Sequence, residues 1–297
     1  PSKFSVHRSS LLIPIINNHD SIISFLNHFL IKRNNKAVSI KLSAYGVDGN
    51  LKDTYYEEIS EKRVYEFNLS KMFSNINDLK SFQAEFFSSK NLFIPFPAVI
   101  VQHKSKYSKN IIHSYNRILN DVNEDMKINS NINYESSFEA IKTQDSCTCF
   151  IFHTGQEKIK GRIKIEIFED SKKKVFYEHV NLPAFSSKLY SLKKYLKTKN
   201  KFYFCRVLQP KQKMFFGRIL VGSFSNKHEY FTANHSYYDS SNANENFNNS
   251  ESYRQYPYFH NFQNIIKFYP INGRSNLSVY IKVGNKEYFA GDIISPS

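Results

Sequence analysis

Val38-Ser-Ile-Lys-Leu-Ser-Ala-Tyr45 carries an apolar residue at every second position, and Arg162-Ile-Lys-Ile-Glu-Ile-Phe168 repeats that pattern further along the chain. A period of two is that of a β-strand with one buried face. Each stretch is followed by a tight-turn signal, Val47-Asp-Gly-Asn50 in the first case and Asp170-Ser-Lys-Lys173 in the second, so each opens a hairpin.

Laying Ser39-Ile-Lys-Leu42 over Arg162-Ile-Lys-Ile165 aligns two long segments. Asn68-Leu-Ser-Lys-Met-Phe73 then falls on Ser191-Leu-Lys-Lys-Tyr-Leu196, Asn91-Leu-Phe-Ile94 on Lys213-Met-Phe-Phe216, and Ile112-His-Ser-Tyr115 on Asn234-His-Ser-Tyr237. The span to the closing histidine is 74 residues in one copy (39 to 113) and 73 in the other (162 to 235). Four weak matches in one order at one spacing indicate an internal duplication. Asn276-Leu-Ser-Val-Tyr-Ile281 resembles the opening strand a third time, and Val6-His-Arg-Ser9 resembles a closing His strand without its unit. The expected division is therefore a stray closing strand at 1–9, repeat 1 at 10–125, repeat 2 at 126–245 and a partial third repeat at 246–297, as in a piece of a longer array. Asn- and Ser-rich stretches, Asn120 to Ser137 and Ser240 to Ser252, read as linkers or long loops.

About seven short strands, aromatic and β-branched, in each unit of ~120 residues suggest an all-β protein of tandem immunoglobulin-like antiparallel sandwiches. One connection in each unit, Leu69 to Asn75 and Ser187 to Leu196, has the apolar spacing of a short helix.

The chain of 297 residues is 41% hydrophobic and 16% aromatic, which excludes wholesale disorder. Its 41 Lys and Arg against 26 Asp and Glu leave a formal charge of +15, which invites an anionic partner. The cations are dispersed: Lys104, Lys106 and Lys109 lie in a loop, Lys172 to Lys174 at a hairpin tip, and Lys193 to Lys201 around the expected helix. Only 9 are Arg and no aromatic-basic strand signature accompanies them, so a nucleic-acid partner is disfavoured. A/T-rich codon usage would give the same abundance of Lys, Asn and Ile. Cys147, Cys149 and Cys205 are too few for a disulfide framework; the C-x-C places two thiols on one strand face, with Phe150 and Phe152 on the other, and reads as small buried residues. No apolar run reaches the ~20 residues of a membrane helix, so a soluble chain without membrane insertion is expected. The sequence begins Pro-Ser-Lys without a signal-peptide pattern, and the compartment is left open.

Phosphate-binding glycine loops, nucleophile elbows, metal-protease helices and EF-hand loops are all missing, and no cofactor is expected from motifs. What recurs is histidine. His7, His113 and His235 each stand in a candidate closing strand, and alternation places His235, Tyr237 and Asp239 on one face. Three readings follow: strand-end anchors inherited by duplication, a polar ligand site, or a divalent metal held by His7, His113 and His235. Arg218 has no charged counterpart in the first unit, where Phe96 stands; it suits an anion, or a surface salt bridge to Glu166 or Asp239. Tyr237, Tyr238, Tyr253 and Tyr256, if exposed, suit stacking on sugar rings. The leading expectation is a non-catalytic binding or interaction protein, using His113, His235, Tyr237, Asp239 and Arg218 for a carbohydrate or other polar small molecule, or for a protein partner. The competing classes are a metal-dependent enzyme built on the same histidines and a binder of anionic polymers such as nucleic acid or acidic glycan.

Overall fold

The computed structural model describes residues 6–88, 99–113, 115–117, 134–169, 172–212, 216–225, 227, 229–236, 239–240, 255, 257, 259–261 and 276–294. The first series of elements is β1 (Val6–Pro14), β2 (Asp20–Leu26), α1 (His28–Arg33), β3 (Val38–Gly46), β4 (Leu51–Glu58), β5 (Val64–Asn68), α2 (Leu69–Met72), β6 (Leu79–Ser88), β7 (Ile100–Lys104), β8 (Lys109–His113) and β9 (Asn116–Arg117). The second is β10 (Tyr134–Ile141), β11 (Ser146–His153), β12 (Ile159–Glu169), β13 (Lys172–Leu182), β14 (Ser187–Ser191), β15 (Phe202–Leu208), β16 (Phe216–Gly217), β17 (Leu220–Ser225), β18 (Phe231–His235) and β19 (Asp239–Ser240). A final hairpin joins β20 (Asn276–Val283) to β21 (Lys286–Ile294).

The protein is all-β, with its antiparallel sheets in pairs. The first series makes the sheets β1-β6-β3-β4 and β5-β2-β7-β8. The second makes β10-β15-β12-β13 and β14-β11-β17-β18, the same order strand for strand, with β19 added beside β10. An immunoglobulin sandwich keeps its first two strands in one sheet; here β1 and β2 fall in different sheets, so the strand order differs from that expectation.

The opening stretch behaves as its period demands. Val38, Ile40, Leu42 and Ala44 of β3 are buried, and Gly49 closes the β3–β4 hairpin at φ +78°, a conformation that Asp-Gly turns supply without strain. The hairpin that joins β12 to β13 pairs Glu169 with Lys172, which leaves two residues for its turn. β4 and β13 are the outer edges, and the exposed Lys172, Lys173 and Lys174 on β13 discourage pairing with a foreign strand.

Two local expectations are corrected. Val6 to Ser9 do not form a stray closing strand: they begin β1, which pairs antiparallel with β6 from Val6↔Ser88 to Pro14↔Ser81 as the edge of the first unit's sheet. Ser187 to Leu196 is not a helix; Ser187–Ser191 pairs with β11, and only a turn follows, closed by Leu196 N donating to Leu192 O at 3.1 Å. The leucine spacing reflects burial of Leu192 and Leu196 from that turn, whereas the matching α2 of the first unit is helical and capped by Asn68 Oδ1, which accepts from Lys71 N at 3.1 Å. Arg218 lies between β16 and β17. The two linkers lie almost wholly outside the described residues.

The two units share apolar packing. Within β11, Phe150 and Phe152 face the partner sheet of their own unit, while Cys149 and Ile151 join one cluster with Leu11, Ile13, Ile23 and Phe25 of the first. Leu220 and Phe231 join that cluster as well. Sheet β14-β11-β17-β18 therefore lies across the side of the first sandwich, touching edge strand β1 through β14 and edge strand β8 through β18. Cys147, Cys149 and Cys205 are buried and form no disulfide.

Candidate ligand site at the junction of the two units

β8 ends on His113 and β18 on His235. The two strands lie side by side without a backbone ladder, and side chains take its place. Ser105 Oγ donates to Glu229 O at 2.9 Å, Ser108 Oγ accepts from Phe231 N at 3.3 Å, and Asn110 Oδ1 accepts from Ala233 N at 2.8 Å. Both strands advance together along this row, so equivalent positions of the two copies meet. His113 and His235 accordingly stand ring to ring, with Nε2 atoms 2.8 Å apart and centroids 4.5 Å apart.

Arg218 completes the group. Its backbone N donates to Tyr115 O at 3.2 Å, which holds the segment between β16 and β17 against the end of the first unit. Its Nη1 lies within hydrogen-bonding distance of both ring nitrogens of His235, Nδ1 at 3.0 Å and Nε2 at 3.4 Å. The guanidinium has only donors, and the 2.8 Å contact between the two Nε2 atoms needs a proton on one imidazole and a lone pair on the other. Burial foremost, then the positive charge of Arg218 and the nearness of the His113 imidazole, hold His235 below the usual histidine range. A proton on both facing nitrogens would break their hydrogen bond and gather cationic groups beside Arg218, an arrangement that an anion relieves.

A metal suits the same atoms less well. Two imidazole nitrogens 2.8 Å apart could be neighbouring ligands at ~2.0–2.1 Å from one ion. However, the Arg218 guanidinium stands beside both ring nitrogens of His235 and opposes a second cation. His7 lies opposite Phe87 at the bulged start of β1, in the sheet that does not carry His113. Among the described residues no three His, Cys, Asp or Glu side chains stand together as a metal site. Asp239 is placed by its backbone, opposite Glu135, and Tyr237, Tyr238, Tyr253 and Tyr256 lie outside the described residues. Glu166, one alternative partner for Arg218, is taken by Lys164 at 2.7 Å and Arg206 at 2.5 Å.

Sequence reasoning missed a second group behind this one. His103 and His153, 0% and 2% exposed, come from different units and lie close enough for the charge of one to disfavour protonation of the other. Phe231 of the second unit packs edge-on against His103 at 5.6 Å and against His19 at 6.1 Å, and Tyr115 of the first stacks on His153 at 5.3 Å. His103 Nδ1 contacts Ser21 Oγ and His153 Nδ1 contacts Ser187 Oγ, but the Nε2 atoms of both and the Tyr115 hydroxyl have no hydrogen-bond partner among the described residues. Burial pushes both imidazoles down to about 3, so they are neutral at physiological pH. The available signal was alternation, which places His103 on the face of Val101 and His153 on that of Ile151.

No described helix is long and apolar enough to cross a membrane. No family model and no curated protein matches the chain. Among solved structures it is similar to a calcium-binding mutant of Bacteroides uniformis beta-glucuronidase 2, at 10% identity and a TM-score of 0.18 over 80% of this chain and 28% of that one. A second structure of that enzyme, covalently bound to cyclophellitol-6-carboxylate aziridine, is 8% identical with a TM-score of 0.15 over 78% of this chain and 26% of that one. The chain thus spans less than a third of the protein it matches, and a likeness at this level carries no argument about its fold or activity.

Proposed function

We propose that this chain is a non-catalytic binding protein of tandem β-sandwich units, with boundaries near residues 125 and 245 and a partial third unit beyond. Its ligand is a polar small molecule, such as a carbohydrate, bearing a carboxylate or phosphate. The observation that supports this reading is the meeting of His113, His235 and Arg218, drawn from two units, within 3.0 Å of one another in sequence along one hydrogen-bonded chain. The guanidinium supplies a fixed charge and a forked donor set, and the histidine pair supplies a second charge when an anion makes its protonation favourable.

Titration calorimetry with inorganic phosphate and with acetate tests this. Saturable binding is expected, tighter at pH 5.5 than at pH 8, and at least tenfold weaker in Arg218→Ala. Binding of neither probe, or equal binding by the variant, would contradict the reading. Stoichiometric zinc in protein purified without a His-tag, lost in His235→Ala, would replace it with the metal-dependent class.

A further inference from the structure

At the opposite end of β8 from His113, the turn of the β7–β8 hairpin, the start of β2 and the entry to α2 enclose an open cleft of about 380 Å³. Asp20, Asn68, Lys71, Lys104, Ser105 and Lys106 line it. Lys104 is the ladder partner of both Asp20 and Lys109, so the sheet itself sets its place. Asn68 caps α2 through Oδ1 and donates from Nδ2 to Asp20 Oδ2 at 3.4 Å. The three lysines are exposed, and none has an ion-pair partner among the described residues. Three ammonium groups against the one lining carboxylate leave the cleft positive.

A lysine on a surface is ordinarily a solvated charge. The second unit serves as a control, because it keeps the ladder and not the charges. Lys104 pairs with Asp20 and Lys109 where Phe224 pairs with Cys147 and Phe231, and Ile100↔His113 falls on Leu220↔His235 by the same register. Lys71 follows three residues after Asn68, the partner of Ile22, as Lys194 follows three after Ser191, the partner of Cys149. Lys194 is neutralised by Glu178 at 2.6 Å. The matching carboxylate of the first unit, Glu57, instead accepts from the Tyr55 hydroxyl at 2.7 Å and lies 3.8 Å from Arg63, and Lys71 is left unpaired. The repeated scaffold thus folds with these positions apolar or paired, and the first unit has gathered unpaired cations on a concave surface.

We infer that this cleft is a second anion site, separate from His113, His235 and Arg218, which takes a small molecule carrying at least two negative charges on phosphate or sulfate groups. Flexible ammonium groups reach the differently directed oxygens of a tetrahedral oxyanion as point charges, whereas a planar carboxylate suits the fork of an arginine. Asp20 opposes the anion, and with Asn68 it offers an acceptor and a donor to a hydroxyl on the same ligand. The volume falls in the range of small-molecule sites.

Titration calorimetry on full-length Arg218→Ala, which silences the other site, tests the inference with two probes, inorganic pyrophosphate and a disulfated disaccharide. One-to-one saturable binding is expected, and the tighter probe identifies the group as phosphate or sulfate. Lys104→Ala with Lys106→Ala should weaken it at least about tenfold, while Lys172→Ala with Lys173→Ala, an equally exposed pair at the β12–β13 hairpin tip, should change it less than about twofold. Asp20→Asn should tighten pyrophosphate about threefold by removing the opposing charge. Saturable binding of neither probe, equal losses from the two lysine pairs, or pyrophosphate binding that Asp20→Asn leaves unchanged or weakens would each overturn the inference.

Discussion

In the second unit the outer face of β14-β11-β17-β18 is covered, with Cys149 and Ile151 each 1% exposed, whereas the same face of β5-β2-β7-β8 in the first unit leaves Ile100 at 42% and Ile111 at 58%. The strand order is identical, so topology does not set the difference. Side-chain content does. β11 reads Ser-Cys-Thr-Cys-Phe-Ile-Phe-His and is buried at every position after the first, the near-continuous run of a strand covered on both sides. β2 ends Ser24-Phe25-Leu26, and of these only Phe25 is buried. One copy of the face has become part of another unit's core, and the other has kept alternation with apolar residues still outside.

The largest effect should come from placing one charge at equivalent positions of the two faces. Leu220→Asp buries an unpaired carboxylate and should cost on the order of 4 kcal/mol or more in urea unfolding, while Ile100→Asp should change stability by less than ~0.5 kcal/mol. Similar losses at both positions would mean that the two faces are not distinguished as described.

Acid should act on the covered face next. His103 and His153 are neutral in the folded protein down to about 3, yet protonate near the ordinary histidine value of 6.5 once unfolded. The unfolded chain therefore binds more protons between those limits, and stability falls as pH drops through that window and is level above it. Each histidine should cost roughly 2 kcal/mol between pH 7 and pH 5. Melting curves across that range check the sum of about 4 kcal/mol; no fall would show that these rings are solvated and the seam is open.

A smaller loss is expected where a side chain stands in for a strand. Asn116 Oδ1 accepts from Leu12 N at 2.8 Å while its Nδ2 donates to Leu12 O at 2.9 Å, so one amide satisfies the backbone of edge strand β1. In the second unit the matching edge, β10, pairs with the backbone of β19 instead. Asn116→Ala should destabilise by about 2 kcal/mol, because it strands a buried donor and acceptor. A change under ~0.5 kcal/mol in chemical unfolding would show that water replaces the amide.

Local pattern carried much of the fold. The alternation of Val38 to Tyr45, the Asp-Gly turn and the repeat spacing lead to the paired antiparallel sheets without any long-range information. The mistakes arose where one pattern has two causes. Leu189, Leu192 and Leu196 have helical spacing, but Leu189 belongs to a strand and the other two to the turn after it. His7 resembles a closing histidine, yet the partner that defines its strand is Phe87 in β6. At the candidate site, His113, His235 and Arg218 were legible because duplication marked the first two and an unmatched charge marked the third. His103 and His153 were not, since Ser21 is 82 residues from His103 and the burial of both rings depends on how one unit sits on the other.

The outer face of the second unit's sheet completes the core of the first. Native-state hydrogen exchange on Leu220→Ala measures this directly, because the lesion lies wholly in the second unit and its effect can be followed in the first. Protection of the Val101 and His103 amides in β7 is expected to fall at least tenfold along with that of β11 and β18. Loss confined to β11, β17 and β18, with β7 protected as before, would contradict it.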